Sequence, residues 1–139
     1  MPFGLDNPAI GYTVFCAIKF AGYSLAANVL AQRYARREHS SVKVGAVRTL
    51  IGMVVGAAYF GAHWAVHEYT HGGNEIAYII GLAPLRVAEW WFLIWLFFDR
   101  EFEHKRRGWW CVGLGVLWSF LLDIPATYGF LAVAGLHVC

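Results

Sequence analysis

The stretch IAYIIGLAPLRVAEWWFLIWLFF, residues 76–98, is apolar throughout except for Arg86 and Glu89. About 20 apolar residues wound into an α-helix match the thickness of a bilayer core. Three further segments have this character, at roughly 9–31, 46–71 and 109–133. The chain is 139 residues, 59% hydrophobic and 14% charged, too apolar for a soluble domain of its size. Little sequence lies outside the four segments. The pattern predicts an all-α polytopic membrane protein: one integral domain folded as an antiparallel four-transmembrane-helix bundle.

Charge placement orients it. Arg33, Arg36, Arg37 and Lys43 lie in the first connection, 32–45, and Arg48 just inside the second span. Arg100, Lys105, Arg106 and Arg107 lie in the third, 99–108. The second connection, around Gly72–Glu75, carries no Lys or Arg. The positive-inside rule then places loops 32–45 and 99–108 in the cytoplasm and both termini outside. A bacterial-type inner (cytoplasmic) membrane is the expected location. The basic loops read as topogenic signals, so no nucleic-acid partner is expected. The start lacks a positively charged n-region and runs directly into a full-length span, so no cleavable signal peptide is expected. Cys16, Cys111 and Cys139 form no C-x-x-C pair, which argues against thiol redox chemistry.

Ionisable residues inside the spans are costly and mark polar interiors. Lys19 sits mid-span on a helical face with Tyr12, Cys16 and Tyr23. Arg86 and Glu89, three apart, share a face in span three. Pro84 just before them predicts a kink that frees a carbonyl. Ser119, Asp123 and Thr127 make a polar stripe on span four, with Pro125 beside it. At mid-depth this gives two cations and two anions, with Arg48 nearer the inner end. The aromatic run Trp90, Trp91, Phe92, Trp95, Phe97 and Phe98 reads as lipid-facing bulk ending in an interfacial belt. In span two, Gly52 and Gly56 form a G-x-x-x-G pair suited to close helix approach. That face predicts contact with a second copy or a larger membrane complex.

Residues 62–75, AHWAVHEYTHGGNE, hold His63, His67 and His71. His67-Glu68-x-x-His71 reads H-E-x-x-H. On a helix it sets two imidazoles one turn apart with a carboxylate beside them. This resembles the signature of zincin metallopeptidases, whose membrane-embedded members carry it in a transmembrane helix and recruit a distant Asp. The resemblance covers those few residues. It implies Zn2+ on His67 and His71, Glu68 as general base and Asp123 as the distant ligand. His63 competes with His71 rather than joining it, because three successive turns span ~12 Å and zinc–ligand bonds are near 2 Å. Glu75 and His137 are other possible ligands. A polar helix end without metal and haem ligation are the alternatives.

The leading functional expectation is a metal-dependent, membrane-embedded hydrolase acting on a lipid-borne or membrane substrate. Lys19, Arg48, His63, Arg86 and Glu89 would then shape its polar interior. The rivals are a non-catalytic subunit of a larger complex, and a small carrier or channel using the mid-membrane charges.

Overall fold

Pro8 opens the first helix, where its missing N–H costs no intrahelical bond and its fixed φ suits the first turn. The computed structural model describes residues 8–34, 40–70, 75–101 and 105–133, and their side chains except at 8, 66–70, 75–79 and 129–133. Four α-helices account for nearly all of it: α1 (Pro8–Arg33), α2 (Ser41–Thr70), α3 (Glu75–Phe97) and α4 (Lys105–Val133). Each contains a stretch long and apolar enough to cross a membrane. The chain is an integral membrane protein with an all-α four-helix bundle.

Two helices begin earlier than hydropathy indicates. The Val44 N–H donates to the Ser40 carbonyl at 3.1 Å, so α2 winds up before the apolar span expected from 46. Likewise α4 starts at Lys105, not 109. Hydropathy marks the slab of lipid, whereas Lys and Arg are good helix formers and carry the winding on into the headgroups. Pro84 and Pro125 lie inside α3 and α4, and each helix continues on both sides of its proline.

The helices pack in a four-sided ring. α1 packs its backbone against α2 and α4, and α3 against the same two, while the diagonal pairs meet through long side chains, Tyr23 of α1 with Arg86 of α3 and Arg48 of α2 with Ser119 of α4. One half of the bundle, at the end carrying the basic connections, is densely filled. Its core includes Tyr23, Ala27, Val44, Trp90, Leu93, Ile94 and Val112. The aromatic run of α3 therefore divides. Trp91, Phe92 and Trp95 are exposed toward lipid, but Trp90, Phe97 and Phe98 are buried, contrary to the lipid-facing reading. Hydropathy cannot tell lipid from protein interior, and in a wholly apolar run the 3.6-residue period is silent.

Close approach is made by glycines other than the expected pair. A methyl group built on Gly45 would lie 2.8 Å from the Ser24 backbone on α1. Gly22 meets Leu122 across α1 and α4, Gly81 meets Tyr59 across α3 and α2, and Gly115 meets the Trp90 indole. Each seam thus has one glycine at its contact. Gly56, in contrast, has nothing within 4 Å of its missing side chain. Within the chain, the Gly52/Gly56 face meets a cavity rather than a neighbouring helix.

Candidate functional site

That cavity occupies the other half of the bundle, toward the histidine end of α2. It measures about 670 Å³ and all four helices wall it. Tyr12, Cys16 and Lys19 come from α1, Gly52 and Gly56 from α2, Leu82 and Arg86 from α3, and Asp123 and Thr127 from α4. On α1 the spacing of these residues is one helical face, so a single stripe lines the space. The glycines of α2 create room there by having no side chain.

Charged residues form the floor. Lys19 of α1 donates to Asp123 Oδ1 of α4. Arg86 Nη2 of α3 reaches Asp123 Oδ2 at 3.5 Å, and Arg86 Nη1 lies 3.6 Å from Glu89 Oε2 one turn along. Arg48 Nη2 of α2 donates to the same Glu89 Oε2 at 2.7 Å. The structure thus joins Lys19, Arg48, Arg86, Glu89 and Asp123 into one chain of ion pairs spanning four helices. Beneath it, Ser119 Oγ accepts from Trp90 Nε1 at 2.8 Å, and Arg48 Nη2 and the Tyr23 hydroxyl each lie 3.5 Å from it. The Arg48 guanidinium rests 4.7 Å from the Tyr23 ring centre and 5.3 Å from that of Trp90, a favourable setting for a desolvated cation.

Arg48 is the member that spacing alone misplaced. Its Cα lies toward the basic end, but its side chain runs toward the histidine end of α2 to meet Glu89 and is 0% exposed. Gly52, one turn ahead, makes this possible, since a methyl group there would lie 3.1 Å from Arg48 Nη1. A charged residue followed four positions later by glycine was the available signal. Trp90, hidden in the aromatic run, gave none.

With Arg48 included, three cations meet two carboxylates, a formal excess of one positive charge. Burying charge costs several kcal/mol per ion unless it is matched. The donors are not exhausted either: Arg48 Nε and Nη1 and Arg86 Nε are buried without a partner among the described residues. Gly52 stands between the two guanidiniums, its missing methyl position 3.1 Å from Arg48 Nη1 and 4.0 Å from Arg86 Nη1. Chemically, this floor is suited to holding an anionic group.

The histidine motif stands apart from it. The half-buried His63 has its ring 6.5 Å from that of Tyr59. α2 is helical through Thr70, so His67 and Glu68 belong to regular helix. Their side chains, and His71 altogether, lie outside what is described, as do the side chain of Glu75 and the whole of His137. Cys16 Sγ contacts Met53 Sδ at 3.9 Å, which puts Lys19 and its partner Asp123 at or below the level of Met53. His67 is about four turns further along α2, roughly 20 Å. Among the described residues, no group of three or more His, Cys, Asp or Glu side chains converges. No family model, no curated protein and no solved structure matches this chain.

Proposed function

We propose that this protein is a small membrane carrier or binding protein. Its cavity accepts an anionic solute of the carboxylate or phosphate class. The observation that carries the reading is the excess positive charge on the cavity floor, where Lys19 and Arg86 face a space of about 670 Å³. That volume suits a small organic anion. Lys19 and Arg86 supply direct charge-assisted donors. Arg48 adds field from behind, and Asp123 holds the two facing cations apart. Displacing Asp123 from one cation by an incoming anion would loosen the contact between α1 and α4. That gives binding a route to change the helix packing.

The test is thermal unfolding of purified protein with sodium phosphate or sodium succinate, against sodium chloride at matched ionic strength. A ligand present at 100 times its Kd stabilises by about 2.7 kcal/mol. Arg86→Gln should abolish the shift, and proteoliposomes should take up the stabilising anion. If no anion stabilises the wild-type protein beyond the chloride control, the proposal fails.

The metal-dependent hydrolase is the second reading. The continuous helix of α2 through Thr70 favours it, because H-E-x-x-H requires a helix. Its Zn2+ would rest on His67 and His71, with Glu68 activating water, outward of the cavity. Metal content of purified protein separates the two readings. Near-stoichiometric zinc lost on His67→Ala supports the hydrolase; less than about 0.2 equivalents removes it. A role as subunit of a larger complex through Gly52 and Gly56 predicts partner loss on Gly56→Leu. The carrier reading predicts instead that this change fills the cavity.

A further inference from the structure

Outside the bundle, α1 and α4 leave an apolar groove of about 380 Å³ on the half nearer the basic connections. Leu25, Val29, Leu114, Leu117 and Leu121 form its walls, and Trp90 lies at its floor. Gly115 opens that floor: a methyl group there would come within 2.7 Å of the Trp90 ring. The groove runs along the helices and ends at Arg33. A second hollow begins at that residue, lined by Arg33, Lys105, Arg106, Arg107 and Trp110. The two share Arg33, Cys111 and Leu114, so they are continuous.

Four cations therefore gather at the mouth of a channel with almost no polar lining. Arg107 stacks over the Tyr34 ring at 5.3 Å, which fixes it on one side of the mouth. Arg33, Lys105 and Arg106 form no ion pair with a carboxylate among the described residues. Trp110 is exposed at 66%, as suits a ring lying at headgroup level. A cationic end joined to an apolar trough matches an amphiphile with a negative head and a long chain. The same cations lie on the side that the charge rule assigns to the cytoplasm, where bilayers carry their anionic lipid.

We propose that this surface is a binding site for one anionic phospholipid of the inner leaflet. Its phosphate sits among Arg33, Lys105 and Arg106, and one acyl chain lies in the α1–α4 groove over Trp90. The site is separate from the cavity floor and independent of the solute reading.

The experiment is native mass spectrometry of the protein reconstituted with equal amounts of dioleoyl phosphatidylglycerol and dioleoyl phosphatidylcholine. We expect one retained phosphatidylglycerol, at least fivefold over phosphatidylcholine. Each basic residue near a membrane surface contributes about fivefold in affinity for anionic lipid. The Arg33→Gln/Lys105→Gln/Arg106→Gln variant should bring the two lipids to within about twofold. Leu114→Trp and Leu117→Trp fill the groove with every cation kept, and they should remove the retained lipid. All five positions are exposed, so helix content should not change. Arg86→Gln should leave lipid retention unaltered. Equal retention of the two lipids by wild-type protein overturns the site. So does a phosphatidylglycerol preference that survives both groove-filling changes, which would mean diffuse attraction. A groove buried in a protein dimer that retains no lipid also overturns it.

Discussion

Glu89→Gln removes the one carboxylate held by two arginines, and its effect can be worked out from the geometry. Arg48 and Glu89 have side chains 0% and 6% exposed, with 2.7 Å between nitrogen and oxygen, so solvent screens them little. At an effective dielectric of about 20 that separation corresponds to about 6 kcal/mol of attraction. Arg86 at 3.6 Å adds a weaker share. Against this, the neutral amide avoids the desolvation cost of a buried carboxylate, several kcal/mol. It also keeps one hydrogen bond of about 1 kcal/mol. The balance is a loss of about 3–5 kcal/mol, the cost of leaving a buried cation unpaired. The assay is reversible unfolding in mixed micelles by SDS titration, followed by far-ultraviolet circular dichroism. Arg48→Met/Glu89→Leu removes both charges together and should recover to within about 2 kcal/mol of wild type, since apolar replacement of a buried pair is often neutral. A loss below about 1 kcal/mol for Glu89→Gln would refute the pairing. A double variant as unstable as the single one would refute the argument that the unmatched charge is the cause.

Other perturbations probe the rest of the architecture by the same unfolding measurement or by labelling. Trp90→Phe loses the 2.8 Å bond to Ser119 and weakens the contact with Arg48. It should cost about 1–3 kcal/mol, whereas Trp109→Phe at a position 60% exposed should cost almost nothing. Gly45→Ala drives a methyl group into the α1 backbone at 2.8 Å and should destabilise by about 1–3 kcal/mol. Gly56→Ala, with open space around it, should be silent, and equal costs would contradict the seam assignment. In a Cys139→Ser background, Cys16 lines the cavity and should react with a water-soluble methanethiosulfonate. Cys111, buried at 7% exposure, should react more slowly. An inert Cys16 would mean that the cavity is closed to solvent.

Several site residues were legible before any packing was known. Lys19 with Tyr12 and Cys16, and Asp123 with Thr127, are each one helical stripe, and with Arg86 they line the cavity. A polar stripe on a membrane helix has one physically acceptable direction, inward. Gly52 and Gly56 border a cavity within the chain, and an absent side chain serves two ends. It lets a helix approach, or it leaves a space, and spacing does not distinguish them. The helices themselves needed no tertiary information, since length and hydropathy are properties of each segment alone.

What the sequence by itself determined is the number of helices and their passage through a membrane. These follow from the cost of bare backbone and charge in lipid, which acts segment by segment. Tertiary structure decided that Arg48 belongs to the mid-membrane network and that Trp90 is buried beneath it. It also decided that the glycine pair opens a cavity while other glycines close the seams. Each of these depends on which side chain from another helix stands opposite, at distances of 3–4 Å. Within the bilayer, lipid and protein interior are equally apolar, so hydrophobicity cannot select among faces. The net charge of the site exists only once four helices bring their charges to one level.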